Sequence, residues 1–382
     1  MTVLFVAHYS GFYGANKSLL TLMVLLRQHY GVKPLVLLPN KGAMCSMLEE
    51  QGIKYYVYQY YWWVNYNHGL FQWALNKRKQ WINCGRVKKI CACFKDEGID
   101  LVYSNSVCVN MGYLIAKRLG LPHVWQFRES LTQFSLSFSL SLSRSLAILS
   151  SKVNKRYVLI SDYMMSYYRK YLPEEKMVRI YNGVDSPEGV SRKVENELRG
   201  RLQVACVGVI SDQKNQMELL QAQSMLHKCG IDIDSWFLGT CSDSEYYERL
   251  KVFVKAEGLT DMVHFVGHTD KVFDFLQKMN LGVVVARDEA FGRVTVEYML
   301  MKMPVIVSRS GASPELIKPG VTGEVYELGD VGALANCIEK YCLNPELLVL
   351  QGEAAASEAV ERFSAERNAE QIFEVIQGVI KS

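Results

Sequence analysis

The sequence predicts an α/β protein made of two doubly wound domains, each with a parallel sheet. The first observation is length, because 382 residues are more than one hydrophobic core usually holds. The second is the alternation of short apolar runs with stretches of helical spacing along the whole chain, without a repeat of fixed period. The third is the continuous apolar content of runs such as 281–286 (LGVVVA), which is typical of strands buried on both faces.

The first half of the chain shows this alternation from its start. Thr2 to Ala7 is an apolar run, a Gly-rich loop follows at 8–14, and Ala15 to Gln28 places its leucines on one helical stripe. In residues 130–151, the alternation of polar and apolar residues fits a strand, and the helical spacing of apolar side chains along one stripe fits a helix. We favour a packing helix, with a mobile lid as the alternative, because a buried strand follows closely. The remaining elements predicted in this half are a strand at 33–39, a helix at 43–51, a strand-like aromatic run at 53–63, and strands at 99–104, 122–127 and 157–160.

The second half begins after a run at 177–180 that leads into Asn-Gly-Val-Asp at 182–185. Residues 186–202 are polar and charged, which suits a linker or an edge. A helical tail is predicted at 354–380. The strands predicted between linker and tail are 203–209, 236–239, 263–267, 281–286 and 305–307, with helices between them.

The composition is that of an ordinary globular protein, with 49 % apolar and 21 % charged residues. No run of eighteen apolar residues occurs, and the start has no basic segment before its first strand, so we expect neither a spanning helix nor a signal peptide. The ten cysteines include no CxxC pair, and Cys91 and Cys93 lack a second ligand pair. Free thiols in a reducing cytoplasm are therefore expected, without a zinc site.

The net charge of +4 conceals an asymmetry between the halves. Residues 1–185 hold 23 Lys and Arg against 10 Asp and Glu, a charge of +13, and the remainder carries −9. A basic half indicates a surface for acidic partners, which are nucleic acid, anionic lipid or a phosphorylated substrate, and an ordinary solvated face is the alternative.

One stretch carries the chemistry. After the run at 281–286 come charged residues, a turn at Gly292, and a helical segment that Pro304 ends. A strand, a glycine turn and a helix N-terminus form an anion site, because free N–H groups and the positive helix end point at the same place. Glu289 and Glu297 flank that site, and ionised carboxylates accept strong hydrogen bonds from sugar hydroxyls. The stretch therefore predicts a sugar–phosphate–ribose ligand across the helix N-terminus.

This stretch resembles the donor site of retaining glycosyltransferases of the GT-B fold, the family 4 type (glycosyl transferases group 1). Glutamate is common, and a lone pair of them eight positions apart would indicate nothing. The ordered set from Glu289 to Glu315 is specific. It consists of Glu289, Phe291-Gly292, Glu297, Pro304-Val305, Ser310-Gly311-Ala312 and Pro314-Glu315.

The resemblance implies two Rossmann-like domains facing a cleft. Residues 1–185 would be the acceptor-side domain, with a helix at about 362–382 packing back on it, and 186–361 would bind the nucleotide-sugar donor. Asn182 to Asp185 resembles the junction between the two domains in this family. The activity implied is transfer of a sugar from a UDP- or GDP-sugar to a glycan or lipid-linked acceptor, with retention, in surface polysaccharide or glycoconjugate assembly.

The resemblance also assigns roles in the donor site. Glu289 and Lys214 would be the catalytic residues, with Glu289 on the sugar hydroxyls and Lys214 on the diphosphate, and Glu297 would hold the ribose. Fixed donors stabilise charge that develops on a leaving diphosphate, so no metal and no cofactor are expected. The predicted donor-binding residues are Gly208, Lys214, Ala290, Phe291, Gly292, Arg293, Val294, Thr295 and Glu297.

The sequence departs from the family pattern at two positions. Val209 stands where an Arg is usual, so one cation for the diphosphate is missing. Arg293, at the start of the helix, could replace it with a bidentate guanidinium. The alternative is that Arg293 points to solvent or pairs with Glu289. Gln126 stands where a His is frequent in the family, which affects the predicted acceptor contacts.

The acceptor side is predicted from loops and strand ends. Gly11 and Gly14 lie in the loop after the first strand, and Asn105, Arg128 and Glu129 follow two later strands, whose carboxyl ends are where ligands bind in parallel sheets. Aromatics at 55–63 suit a sugar-stacking or a membrane-interface surface, with core packing as the alternative, and cations at 77–89 beside them favour an interfacial patch. We expect a cytoplasmic protein that binds the inner face of the cell membrane, and no nucleic-acid partner.

Two other readings stay open at this point. One is a sugar-nucleotide-binding protein without catalysis, which Val209 favours. The other is a sugar-nucleotide epimerase or a phosphorylase of similar fold, which explains the set of motifs around Glu289 and Glu297 less well.

Overall fold

The computed structural model describes residues 1–65, 70–131, 137–138, 140–186, 200–269 and 271–381, with the backbone alone at 70–73, 137 and 142. The chain folds into two compact units. Unit 1 consists of Met1–Gly183 and Ala365–Ser382, and unit 2 of Val184–Ser364. Most of the linker predicted at 186–202 lies outside the described residues, since 187–199 are not among them.

Unit 1 begins with a strand, β1 (Thr2–Val6), that is fully buried because apolar residues occupy both of its faces. Parallel strands then alternate with helices. The further elements up to 183 are α1 (Gly14–Tyr30), β2 (Lys33–Leu38), α2 (Ala43–Glu50), β3 (Lys54–Val57), β4 (Val64–Asn65), α3 (Leu70–Ala92), β5 (Leu101–Ser104), α4 (Met111–Leu119), β6 (His123–Phe127), β7 (Ser137–Phe138), α5 (Leu142–Leu149), β8 (Asn154–Leu159), α6 (Asp162–Tyr168) and β9 (Met177–Arg179). Over the described residues the strands form a seven-stranded parallel sheet in the order β3-β2-β1-β5-β6-β8-β9, and β4 pairs with β7.

Unit 2 repeats the architecture with a second core between its sheet and its helices. Its elements are β10 (Leu202–Val207), α7 (Gln216–Lys228), β11 (Ile233–Leu238), α8 (Ser244–Ala256), β12 (Val263–Gly267), α9 (Val272–Leu276), β13 (Leu281–Val284), α10 (Arg293–Leu300), β14 (Val305–Ser308), α11 (Ser313–Leu316), β15 (Gly323–Tyr326), α12 (Val331–Leu343) and α13 (Glu346–Phe363). In the described part of the unit, six parallel strands lie in the order β12-β11-β10-β13-β14-β15.

Each sheet has a point at which its strand order reverses. In unit 1 the chain builds outward from β1 to β3 and then returns to place β5 on the other side of β1. In unit 2 it builds from β10 to β12 and then places β13 on the other side of β10. Loops diverge at such a point and leave a crevice beyond the carboxyl ends of the strands, where ligands of open parallel sheets bind.

Unit 1 is completed by the last helix, α14 (Ala365–Lys381). Its apolar stripe joins the core under α1, with Ile372 and Ile376 fully buried. The rings of Tyr30 and Phe373 stack with their centroids 4.2 Å apart. The helix is amphipathic, and its burial depends on this one stripe.

The elements differ from the prediction in three places. In the aromatic run at 53–63, only Lys54–Val57 is a strand. In residues 130–151 the helix is confined to Leu142–Leu149, and Ser137–Phe138 is a strand, while 132–136 and 139 lie outside the described residues. The helical tail predicted at 354–380 consists of two helices, α13 and α14, with a break at Ser364.

Candidate functional site

The carboxyl ends of β10 and β13 bring together the residues predicted for the second domain. The loop after β10 carries Gly208 and Lys214, and the loop after β13 carries Glu289 and leads into α10 at Gly292. Both loops lie at the reversal point of the unit 2 sheet, so side chains 75 positions apart meet there.

The turn that carries Lys214 is held by the hydrogen bonds of the residues that follow it. It is one turn of 3₁₀ helix, Asp212–Lys214, and it ends at Asn215, whose backbone is in the left-handed region (φ 55°). The Asn215 side chain donates to Glu218 and accepts from Arg287 Nη2 at 3.2 Å. The second oxygen of Glu218 accepts from the backbone N–H of Gly329 at 2.7 Å. These polar contacts hold the turn in one orientation, and with it the base of the Lys214 side chain.

The loop that carries Glu289 is fixed by the next loop of the sheet. The Ala312 N–H donates to the Glu289 carbonyl oxygen at 2.7 Å, and the Asp288 N–H donates to Ser310 Oγ at 2.7 Å. Gly311 lies so close to Glu289 that a Cβ at this position would overlap the Glu289 backbone, and its φ is +55°. Only glycine permits this approach without displacement, which gives Ser310-Gly311-Ala312 a structural role beside Glu289.

Lys214 and Glu289 form an ion pair at the centre of these loops. Lys214 Nζ lies 2.5 Å from Glu289 Oε2, with side-chain exposures of 33 % and 16 %. In a partly exposed pair of this kind, an incoming anion can compete with the carboxylate for the cation. The sequence predicts a separate role for each residue, and it does not predict their pairing.

The N-terminus of α10 places a second pair beside the first. Arg293 Nε donates to Glu297 Oε1 at 2.9 Å, and Arg293 Nη2 lies 3.9 Å from Asp185 Oδ2. In this structure Arg293 pairs with Glu297 and Glu289 pairs with Lys214, and the role of Arg293 at the diphosphate stays a prediction.

The remaining predicted donor residues contribute mainly backbone. Ala290, Phe291 and Thr295 are buried, and Gly292 is the N-cap of α10 with φ 93°. Val294 is half-buried. The N–H groups at the start of α10 are the ones that a helix leaves without intrahelical partners.

Unit 1 has its own polar cluster, centred on Arg128 at the end of β6. Its guanidinium donates to Asn105 Oδ1 at 2.8 Å, to Gln126 Oε1 at 2.9 Å and to Asn182 Oδ1 at 2.6 Å. Arg128 is 8 % exposed, and this set of acceptors balances a charge that would otherwise be costly to bury. Gln126, at the position where the family often has His, is an acceptor for Arg128.

Glu129 lies beside this cluster and contacts residues at the reversal point of the unit 1 sheet. Its Oε2 accepts from Ser106 Oγ at 2.9 Å, and its Oε1 lies 3.6 Å from His8 Nε2. Burial raises the pKa of Glu129 to about 7. Burial, and then the nearby Arg128 guanidinium, lower the pKa of His8 to about 3. Both side chains are therefore neutral over a wide acidic range.

The two predicted glycines of this unit have different surroundings. Gly14 begins α1, and a Cβ there would meet nothing within 4 Å, so its position does not require glycine. The Gly11 carbonyl oxygen accepts from the buried Asn16 side chain at 2.7 Å. Asn16, His8 and Ser106 were missed by the sequence analysis, because an isolated polar residue that the fold buries has no periodic signal.

The described residues contain neither a metal-ligand cluster nor a membrane-spanning helix. Among them, no three His, Cys, Asp or Glu side chains are grouped as metal ligands would be. Of the helices in the described ranges, none combines the length and the apolar content needed to cross a bilayer.

Comparison with known proteins finds a family model that matches part of unit 2. Residues 189–358 match the model of the family described as "Glycosyl transferases group 1". The match covers less than half of the chain. Among curated proteins, the lipopolysaccharide core biosynthesis mannosyltransferase LpcC of Rhizobium leguminosarum is 31 % identical over 185 residues, which cover 48 % of this chain and 53 % of LpcC. The uncharacterized glycosyltransferase MJ1178 of Methanocaldococcus jannaschii is 28 % identical over 72 % of this chain and 74 % of its own.

Solved structures show the fold of both units. HepE of Anabaena in complex with UDP aligns with a TM-score of 0.80 and 20 % identity, over 99 % of this chain and 100 % of HepE. A glycosyltransferase from Rickettsia africae aligns with a TM-score of 0.80 and 19 % identity, over 100 % and 99 % of the two chains. The chain has the GT-B fold, with two parallel-sheet α/β domains.

Proposed function

We propose that this protein is a glycosyltransferase that moves a sugar from a nucleotide-sugar to a glycan or lipid-linked acceptor, with retention of configuration. The observation that carries the proposal is the Lys214–Glu289 pair beside the N-terminus of α10, within the residues that match the group 1 glycosyl transferase model. The structures of HepE with UDP, with UDP and glucose, and with UDP-glucose support a nucleotide-sugar as the donor.

The chemistry follows from charge. Departure of the nucleoside diphosphate builds negative charge on its phosphate oxygens, and a fixed cation with oriented N–H donors stabilises that charge in the transition state. Lys214 would transfer its contact from Glu289 to the diphosphate when the donor binds. Glu289, freed from Lys214, would accept hydrogen bonds from the sugar hydroxyls, and Glu297 would accept them from the ribose.

Arg293 would supply the cation that Val209 lacks. Val209 is 40 % exposed, so the position where family members carry Arg is open to solvent in this chain. Arg293 is already anchored through Glu297, and its guanidinium has five donors, which allows one edge to hold the carboxylate while another reaches phosphate.

A thermal-shift screen with UDP-, GDP- and ADP-sugars tests the donor. A true donor binds the folded state and stabilises it by about 2.7 kcal/mol when its concentration is a hundred times its Kd. We expect one nucleotide-sugar to raise the Tm and the other two to leave it unchanged. If none of them raises the Tm of the full chain, the assignment of the donor site is wrong.

Retention of configuration and independence from a metal ion are tested by two separate measurements. NMR of the anomeric proton during turnover should show the product with the donor's configuration. Activity should survive a chelator, because Lys214, Arg293 and the N–H groups of α10 supply the positive charge. An inverted product, or activity restored only by a divalent cation, would contradict these parts and leave donor binding standing.

A binding protein without catalysis is the second candidate, and Val209 is the observation that favours it. Donor hydrolysis in the absence of acceptor separates the two. An enzyme should release the nucleoside diphosphate slowly, whereas a pure binding protein should show a thermal shift and no release.

The cellular role is proposed from charge and from the relatives. The described relatives include proteins named for lipopolysaccharide core and capsular polysaccharide biosynthesis. The first half of the chain carries a charge of +13, from 23 basic and 10 acidic residues, which favours an anionic surface. Co-sedimentation with anionic vesicles should decrease as salt rises. Absence of binding at low salt would exclude the membrane part of the proposal.

A further inference from the structure

Unit 1 contains a cavity of about 460 Å³ that is not lined by the predicted acceptor residues Gly11, Gly14, Asn105, Arg128 and Glu129. It lies beyond the carboxyl ends of β1 and β2, where His8, Tyr9 and Asn40 follow the strands, and it is closed by the loop before β4 and by α3. Its volume is within the range of small-molecule sites.

The walls of the cavity are aromatic and held in place by hydrogen bonds. Trp62 Nε1 donates to the His8 carbonyl oxygen at 2.6 Å, and Tyr60 Oη donates to the Leu37 carbonyl oxygen at 3.0 Å. The Tyr9 and His8 rings meet edge to face at 4.3 Å. Rigid, amphipathic rings of this kind bury the apolar face of a ligand and leave polar tips available at low entropic cost.

Two polar residues that line the cavity have atoms left unsatisfied. Within the described part of the chain, His8 Nδ1 and Asn76 Nδ2 have no hydrogen-bond partner. His8 is 6 % exposed and Asn76 is 1 % exposed. Buried polar atoms are nearly always paired in native proteins, which makes these two residues candidate partners for a polar ligand.

The charge at the cavity is positive. Lys79 lines it, and no acidic residue is among the described residues that do. The Lys79 Nζ lies 6.0 Å from the centre of the Tyr61 ring, which also lines the cavity. Lys79 belongs to α3, whose sequence has six cations and no acidic residue. His8 adds no charge near neutral pH, because its pKa is lowered to about 3.

We propose that this cavity binds a sugar ring that carries a carboxylate or a phosphate. The ring would lie against Tyr61 and Trp62, its hydroxyls would pair with His8 and Asn76, and its anionic group would face Lys79. The inference rests on the proposed function in one respect, since under that function the ligand is the acceptor. It gives that acceptor a chemical class, an acidic saccharide.

The test measures binding to the full chain without any transfer. The probes are methyl glucuronide and glucose 6-phosphate as acidic rings, methyl glucoside as a neutral ring, and inorganic phosphate as an anion without a ring. Titration by calorimetry should give saturable binding of both acidic rings in the millimolar range, as expected for single-ring fragments. The neutral ring and phosphate should each bind more weakly.

Two variants and one control assign the binding to the cavity. Lys79→Gln should weaken the acidic rings roughly tenfold, on the scale of one charge-assisted hydrogen bond, and leave the neutral ring unchanged. Tyr61→Leu should weaken charged and neutral rings alike. Lys88→Gln, an exposed cation of the same helix that does not line the cavity, should leave every probe at its wild-type affinity.

Three outcomes overturn the inference. They are the absence of saturable binding of either acidic ring, equal effects of Lys79→Gln and Lys88→Gln, and binding of phosphate as tightly as glucose 6-phosphate. The thermal shift by the nucleotide-sugar is measured on the same samples. If that shift persists while the acidic rings fail to bind, only this inference fails, and if the shift is absent, the proposed function fails first.

Discussion

Replacing Lys214 by methionine should remove most of the activity and leave the fold intact. Methionine keeps an unbranched stem and loses the ammonium group that lies 2.5 Å from Glu289 Oε2. The pair is partly exposed, at 33 % and 16 %, and ion pairs open to solvent contribute only about 0–1 kcal/mol to stability. The Tm should therefore fall by no more than about 4 °C.

The catalytic loss should be much larger. Lys214 is proposed to contact the diphosphate as its charge develops, and removing one fixed donor from such a site costs about 10²–10³ in kcat, or roughly 2.7–4 kcal/mol. The loss in transition-state stabilisation should then exceed the loss in folding stability by about 2 kcal/mol or more. This difference separates a residue that acts on the substrate from one that only supports the loop.

The assay is the rate of donor hydrolysis, with Tm measured on the same samples. The matched control is Lys302→Met, because Lys302 Nζ forms a comparable pair with Glu353 Oε1 at 2.9 Å in the same unit, away from the site. The control should keep wild-type kcat/KM. A Lys214 variant whose kcat/KM equals that of the control would refute the assignment, and a loss of activity matched by an equal loss of stability would make Lys214 a structural residue.

Three further outcomes are expected. Arg293→Leu should reduce transition-state stabilisation, measured through kcat/KM, by about 2 kcal/mol, since it removes a proposed phosphate contact. Wild-type kinetics would end that proposal. Glu129 should make stability depend on pH: its ordinary pKa of 4.5 is raised to about 7 in the folded chain, so the stability present below pH 4.5 is lost as the pH rises through 7. Glu129→Gln should flatten this fall in Tm, and an unchanged profile would show that the carboxyl does not titrate in this window. Gly239→Ala should destabilise by about 2 kcal/mol or more, because its φ is +152° and a Cβ would overlap the Gly208 carbonyl oxygen. Gly378→Ala, whose Cβ meets nothing within 4 Å, should be neutral or stabilising, and similar Tm values for these two variants would contradict the overlap.

The fold could be predicted because its signal is local. Continuous apolar runs such as Thr2–Val6 and Leu281–Val284 belong to strands buried on both faces, and helical stripes lie between them. The prediction was wrong where local pattern and burial disagree. Beyond Val57 the aromatic run is no longer a strand of the sheet. Its side chains make individual hydrogen bonds through their polar atoms instead, and Trp63 Nε1, for example, donates to the Val107 carbonyl oxygen.

The candidate site could be predicted only in part. Glu289 and Lys214 were found through motifs, whereas their contact depends on two strands that are adjacent in space and distant in sequence. The roles of His8 and Asn76 at the cavity could not be predicted, because each residue is ordinary in its local sequence and becomes unusual only when the fold buries it without a partner.

The late position of α14 has a consequence for how the chain is made. A ribosome must finish all of Val184–Ser364 before it begins the helix that completes unit 1. At about 5–20 residues per second, synthesis of Val184–Ser364 takes roughly 10–40 s, and the apolar surface of α1 next to Tyr30 stays uncovered throughout that time. Unit 2 is contiguous and can finish folding in that interval, so the part made first is completed last. A nascent chain in this state exposes an apolar groove to chaperones and proteases, and a shortened product that lacks 365–382 would keep that groove exposed for its lifetime.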